Sequence, residues 1–146
     1  MPEHGAEQPS VTVELQKGGS FTIALFPSSA PKTVESFLAK VRSGFYAGTT
    51  FHRVENWVVQ GGDPEGTGRG GGTMPSEYND LTFGVGAVGI ARGTDKAVNN
   101  DAQWFVTKKS SAFLDRSYTN FGQVTAGMAV VQAIAIGDTI KAVTAS

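Results

Sequence analysis

Cysteine is absent from this chain of 146 residues, which excludes disulfides and thiolate metal sites. Histidine is nearly absent. His4 and His52 are the two present, and their separation argues against a histidine metal centre. Neither sign of charge is in excess: 12 Lys and Arg against 13 Asp and Glu leave a formal net charge of −1. A nucleic-acid binder needs a basic surplus to neutralise phosphates, so no nucleic-acid partner is expected. Long apolar runs are missing too. The longest, Met128 to Ile136, is interrupted by Gln132 and is too short to span a bilayer. The N-terminus carries neither the basic nor the apolar segment of a secretory signal. These absences lead us to expect a cytoplasmic protein that is not membrane-bound, with a flexible polar tail over residues 1–10.

What remains is an ordinary globular composition, 40% hydrophobic and 17% charged, in a chain long enough for one domain with a real core, over residues 11–146. Nineteen glycines gather at 61–72 and 84–93. Val, Ile and Phe are interleaved with them, so they mark tight turns and loops. Val11 to Leu15 and Phe21 to Phe26, joined through Gly18-Gly19, read as an opening hairpin. A helix is expected from about Ala30 to Ser43. Val34, Phe37, Leu38 and Val41 form its apolar stripe, Ser28 or Ser29 its cap, Pro31 its first turn and Gly44 its stop. Short strands are expected at Thr50–Arg53, Val58–Gln60, Val88–Ala91, Trp104–Thr107, Phe121–Val124 and Ile140–Val143, and a second helix at Gly127–Ile136. Many short strands with two helices point to a mainly β, closed antiparallel barrel.

The most informative stretch is Phe51 to Asp63, Phe-His-Arg-Val-Glu-Asn-Trp-Val-Val-Gln-Gly-Gly-Asp. It sets Arg53 a few residues before Gln60, with the apolar Trp57-Val58-Val59 between them and a Gly-Gly turn directly after. This run resembles the signature of the cyclophilin-type peptidyl-prolyl isomerases, in a bacterial-like form with short loops. Gln103-Trp104-Phe105-Val106 resembles that family's Gln-Phe-Phe strand. Phe113-Leu114-Asp115, Tyr118 and Phe121-Gly122 resemble a further family run. The resemblance covers roughly residues 10 to 145. It implies an eight-stranded barrel with two capping helices, and it implies isomerisation of X–Pro bonds without cofactor or metal.

By the same resemblance Arg53 is the main catalytic group and Gln60 holds a substrate carbonyl. Val58, Phe105, Phe113 and Leu114 would line a proline pocket, together with Trp57 and Tyr118. Ala91, Arg92, Gly93 and Gln103 would line the groove for the residues before proline, and Gly66 would stand at its rim. The implied partners are proline-containing peptides and unfolded proteins, bound by a monomer. Cyclosporin is a further implied partner, and Phe113 stands where many relatives carry a cyclosporin-binding tryptophan, which implies a weaker affinity for that drug. The link from Arg53 to Gln60 is one residue short, with Asn56 where Pro-Gly is usual.

Taken on their own, these residues have plainer readings. An isolated arginine is usually solvated, a strand glutamine can simply face water, and the aromatics could be barrel core. His52 invites a general-base role, but strand alternation would turn it away from Arg53, which favours a structural, hydrogen-bonded histidine. Gly66 to Gly71 matches the spacing of a dinucleotide fingerprint but opens no helix, so nucleotide binding is not expected. Two other function classes remain open: a proline-segment binding module with little turnover, and a hydrolase built on His52.

Overall fold

The computed structural model describes residues 9–146; all but the last two residues of the expected N-terminal tail lie outside them. Of those two, Ser10 already belongs to the first strand. Ten strands occur among the described residues: β1 Ser10–Leu15, β2 Ser20–Leu25, β3 Thr50–Val54, β4 Val58–Asp63, β5 Thr73–Pro75, β6 Ala87–Ile90, β7 Val98–Asn100, β8 Trp104–Thr107, β9 Asn120–Ala126 and β10 Ile140–Ala145. Eight form one antiparallel sheet in the order β10-β1-β2-β9-β6-β8-β4-β3. A bridge from Thr50 to Thr139 joins its two ends, and Phe51 N–H donates to Asp138 O across the same seam at 2.9 Å. The sheet thus curls into a nearly closed eight-stranded barrel. β5 and β7, which the sequence does not announce, pair separately.

Alternation along the strands fills the barrel. Val11, Val13 and Leu15 on β1 and Phe21, Ile23 and Leu25 on β2 are all buried. Trp104 sits in the middle, edge-on to Phe37, Tyr46 and Phe51. Helix α1, Pro31–Arg42, closes one end by burying Val34, Phe37, Leu38 and Val41, the stripe expected from the sequence. Its cap is not the one expected. No side chain caps from the N-cap residue Ala30. Instead Glu77, far along the chain, accepts from the Lys32 and Thr33 N–H groups at 3.0 and 2.7 Å and from the Thr33 hydroxyl at 2.7 Å. A carboxylate at that position satisfies two orphan donors and complements the helix dipole.

Helix α2 is shorter than expected, Met128–Gln132. The chain turns after Ala133, where Asp138 accepts from Ala135 N–H at 2.8 Å.

Candidate active site

Register creates the site. Arg53 on β3 pairs with Gln60 on β4, Gln60 with Phe105 on β8, and Phe105 with Gly89 on β6. Residues that oppose one another across strands share a face. A cation, an amide, an aromatic ring and a bare backbone position therefore line up across four strands. The neighbouring row, Phe51, Gly61, Trp104 and Ile90, is paired likewise and belongs to the barrel interior. The Arg53 row thus lies on the outside of the barrel.

A β-bulge makes this possible. Two steps on β3, from Phe51 to Arg53, oppose one step on β4, from Gly61 to Gln60. In an unbroken strand Phe51 and Arg53 would share a face. The extra residue, His52, breaks the alternation, so Phe51 enters the core while Arg53 reaches solvent. The two glycines after Gln60 are equally constrained. A side chain on Gly61 would meet the Phe51 ring at 3.0 Å, and Gly62 has φ +90° with its Cβ position 2.7 Å from the Trp104 ring.

Over the outer row lies a cavity of about 210 Å³, lined by Arg53, Trp57, Val58, Gln60, Ala91, Arg92, Phe105, Phe113, Leu114 and Tyr118. Ten of the thirteen expected site residues thus meet there. Its floor is a second apolar cluster, separate from the barrel core, made of Val58, Phe83, Ala87, Phe105 and Leu114, with Trp57 and Tyr118 against it. Phe105 stacks on Phe83 at 5.7 Å and stands edge-on to Tyr118 at 5.8 Å. Trp57 and Phe113 meet edge-to-face at 5.1 Å, forming one wall. Phe113 is 68% exposed, as a wall open to a ligand would be.

Polar groups are held by a short network. Arg53 Nη1 donates to Gln60 Oε1 at 3.4 Å, and Gln60 Nε2 donates to Gln103 Oε1 at 3.1 Å. Gln103 Nε2 then donates to Gly70 O at 2.9 Å. On the opposite side Arg92 donates to Ser117 O and Gly93 O at 2.9 and 2.8 Å and lies 4.4 Å over the Tyr118 ring.

The other three expected residues, Gln103 and Gly93 of the groove and Gly66 of its rim, are not among those lining this cavity. Gln103 is buried and reaches the cavity only through Gln60, because its amide is spent on the loop carbonyl of Gly70. Gly66 lies in the exposed loop after β4, where its N–H donates to Asp63 O at 3.1 Å. Gly93 borders a different hollow with Gly72, Thr73, Thr94, Asp95 and Val98 to Asn100. The sequence reading also missed Phe83, Ala87 and Gly89, which form or back the floor, and Glu55, whose carboxylate holds Arg53 at 2.8 Å.

His52 does not line the cavity. It lies against the loop, 3.5 Å from the Cβ position of Gly68. The reason is the bulge and the loop, not simple alternation. Its Nδ1 is buried without a hydrogen-bond partner, which corrects the expected hydrogen-bonded histidine at that atom. Burial lowers its pKa, outweighing the pull of nearby Asp63. Asp63 itself is buried, which alone would raise its pKa. Its hydrogen bonds from Glu65, Thr67 and Gly68 N–H, at 2.8, 3.0 and 2.5 Å, hold it below the ordinary carboxylate range instead. The glycine-rich segment is therefore wrapped on an internal carboxylate. Among the described residues no cluster of three or more His, Asp or Glu offers a metal site, and no helix is long and apolar enough to cross a membrane.

Comparison with known proteins agrees with this geometry. Residues 10–145 match the model of the cyclophilin-type peptidyl-prolyl cis-trans isomerase/CLD family. The chain is 38% identical over 120 residues to peptidyl-prolyl cis-trans isomerase-like 1 of Aspergillus niger, covering 78% of this chain and 74% of that protein. The crystal structure of a cyclophilin-type isomerase of Cryptosporidium parvum superposes with a TM-score of 0.87 at 28% identity, over 95% of this chain and 98% of that one. A structure of the same protein in the presence of the dipeptide Ala-Pro gives 0.84 at 28% identity, over 92% and 97%. These relatives lend no support to the bacterial-like character expected from the short loops. Motif, barrel and match coincide along nearly the whole described length, and the chain belongs to the cyclophilin-type peptidyl-prolyl cis-trans isomerases.

Proposed function

We propose that this isomerase seats the substrate proline ring on Phe105 and drives rotation of the preceding peptide bond with Arg53. The single observation that carries the reading is the register Arg53–Gln60–Phe105, which sets a cation and an amide beside an apolar floor. The cavity's volume, about 210 Å³, falls below the ~300–1,000 Å³ of drug-sized pockets and suits one small ring.

Peptide-bond rotation is slow because nitrogen shares its lone pair with the carbonyl, over a barrier of about 18–20 kcal/mol. In the planar ground state that nitrogen is a poor acceptor. In the twisted transition state its lone pair localises, and a guanidinium N–H aimed there binds the transition state better than the substrate. Gln60 Nε2 has two hydrogens. One goes to Gln103, leaving the other for the carbonyl of a substrate residue. Ala91 and Arg92 flank the residues before proline. No bond is broken, so the chemistry asks for no cofactor.

Proline-containing peptides and unfolded chains are the substrates in this reading. A cytoplasmic monomer that speeds proline-limited folding is the setting it best fits. The Ala-Pro dipeptide named with the Cryptosporidium structure supports that substrate class.

Arg53→Ala tests the mechanism and separates it from a binding module with little turnover. By NMR exchange on an uncharged Ala-Pro peptide, the folded variant should lose about 10²–10³-fold in rate, and Arg53→Lys should recover little, because a point charge lacks the planar fork. Near-wild-type turnover in Arg53→Ala would refute the mechanism.

A further inference from the structure

Glu55 and Asn56 occupy the shortened turn between β3 and β4. The turn is tight: Glu55 N–H donates to Val58 O at 2.8 Å. That bond fixes the backbone from which the Glu55 side chain springs. Its two carboxylate oxygens then serve two different partners. Oε2 accepts from Arg53 Nε at 2.8 Å, and Oε1 accepts from Trp57 Nε1 at 3.2 Å. The Arg53 guanidinium lies 5.5 Å from the centre of the Trp57 ring, closing a triangle of Glu55, Arg53 and Trp57.

A guanidinium has three nitrogens and a rigid plane. Pinning Nε to one side dictates where the other two point. Here the remaining edge faces Gln60, with Nη1 3.4 Å from its Oε1. The same carboxylate holds the indole that forms a cavity wall with Phe113. From this geometry we infer that Glu55 is a positioning residue that presets Arg53 and Trp57 for the substrate. The inference rests on the catalytic reading of Arg53. Side-chain exposures of 45% for Arg53 and 47% for Glu55 place the pair in water, where ion pairs add little to stability. Its effect belongs in the rate, not in the fold.

The test is a cycle of wild type, Glu55→Ala, Arg53→Ala and the double variant, each assayed for kcat and KM on an uncharged Ala-Pro peptide. Trp57 is followed by acrylamide quenching, since Trp104 is fully buried. In the wild-type background Glu55→Ala should lower kcat about tenfold, within the range that small misplacements of a catalytic group cost. Trp57 quenching should rise and the melting temperature should stay the same. In the Arg53→Ala background Glu55→Ala should cost nothing further. Glu55→Gln, whose amide keeps one acceptor oxygen, should fall between wild type and Glu55→Ala. Unchanged or raised kcat in Glu55→Ala, while Arg53→Ala is inactive, would overturn this inference alone. An equal loss from Glu55→Ala in both backgrounds would overturn it too. An active Arg53→Ala would overturn the catalytic reading and this inference with it.

Discussion

Gly89 does not line the cavity, yet the structure singles it out. It stands opposite Phe105 in the ladder, and a Cβ there would lie 2.4 Å from Phe105 Cζ, 2.8 Å from its Cε2 and 2.9 Å from Phe83 Cε1. Ordinary carbon contact is about 3.5–4.0 Å, so Gly89→Ala requires the Phe105 ring to shift by roughly 1 Å. The stacked Phe83 and edge-on Tyr118 rings hem it in, and the open side is the cavity. The ring therefore moves into the cavity that we propose for proline. Overpacking of this kind costs about 1–3 kcal/mol. At about 2–4 °C per kcal/mol for a domain of this size, the melting temperature should fall by several degrees. Peptide titration should show weakened Ala-Pro binding, and the exchange assay a raised KM, in a protein that remains folded by circular dichroism. Unchanged peptide affinity, with or without the loss of stability, would show that the Phe105 floor is not where proline sits.

Phe113→Trp should tighten cyclosporin inhibition, because an indole N–H can donate where Phe113 cannot and the Trp57 N–H is already committed to Glu55; an unaltered inhibition titration would show that position 113 does not contact the drug. Asp63→Asn turns an amide NH₂ toward backbone donors and should cost about 1–3 kcal/mol in urea unfolding; an unchanged midpoint would refute the internal-carboxylate account of the loop. Because the native Asp63 pKa is depressed, its contribution is full above the unfolded carboxylate value and disappears as pH falls through the native one. His52 has a lowered native pKa, so the unfolded chain takes its proton more readily, and stability should decline as pH falls below about 6.5. Activity on an uncharged peptide should nonetheless be flat from about pH 6 to 9; a histidine-like limb that vanishes in His52→Gln would make His52 an acid–base catalyst.

The parts of the molecule legible in the sequence are those set by local periodicity. The α1 stripe of Val34, Phe37, Leu38 and Val41 follows from helical spacing alone, and β8 follows from an apolar run between turns. The Phe51–Asp63 motif located the centre of the site because its residue types are rare in combination. What escaped depends on partners distant in sequence. Glu77 caps α1 from another segment, so no rule about neighbouring residues finds it. The His52 bulge is a property of the pairing of two strands and is invisible in either one. Gly89 is one residue of an expected strand until the register sets it opposite Phe105, and Phe83, outside every expected strand, stacks on that ring from the segment before β6. Gln103 belongs to the motif, but a sequence match cannot tell a side chain that lines the cavity from a buried one that hydrogen-bonds the side chain lining it.

The first and last strands are neighbours: β1 lies between β2 and β10, with Val11 opposite Ala145 and Val13 opposite Val143. Contacts so far apart in the chain make folding slow, because loop closure precedes their reward. During synthesis, at about 5–20 residues per second, β1 emerges early and must wait several seconds for β10. Through that interval one edge of β1 has no strand beside it, and the seam that ties Phe51 to Asp138 cannot form. Until β10 emerges the barrel cannot close, and an isolated hairpin or short helix is at best marginally stable. The β3 bulge that presents Arg53 gains its final support only once the segment around Asp138 has emerged.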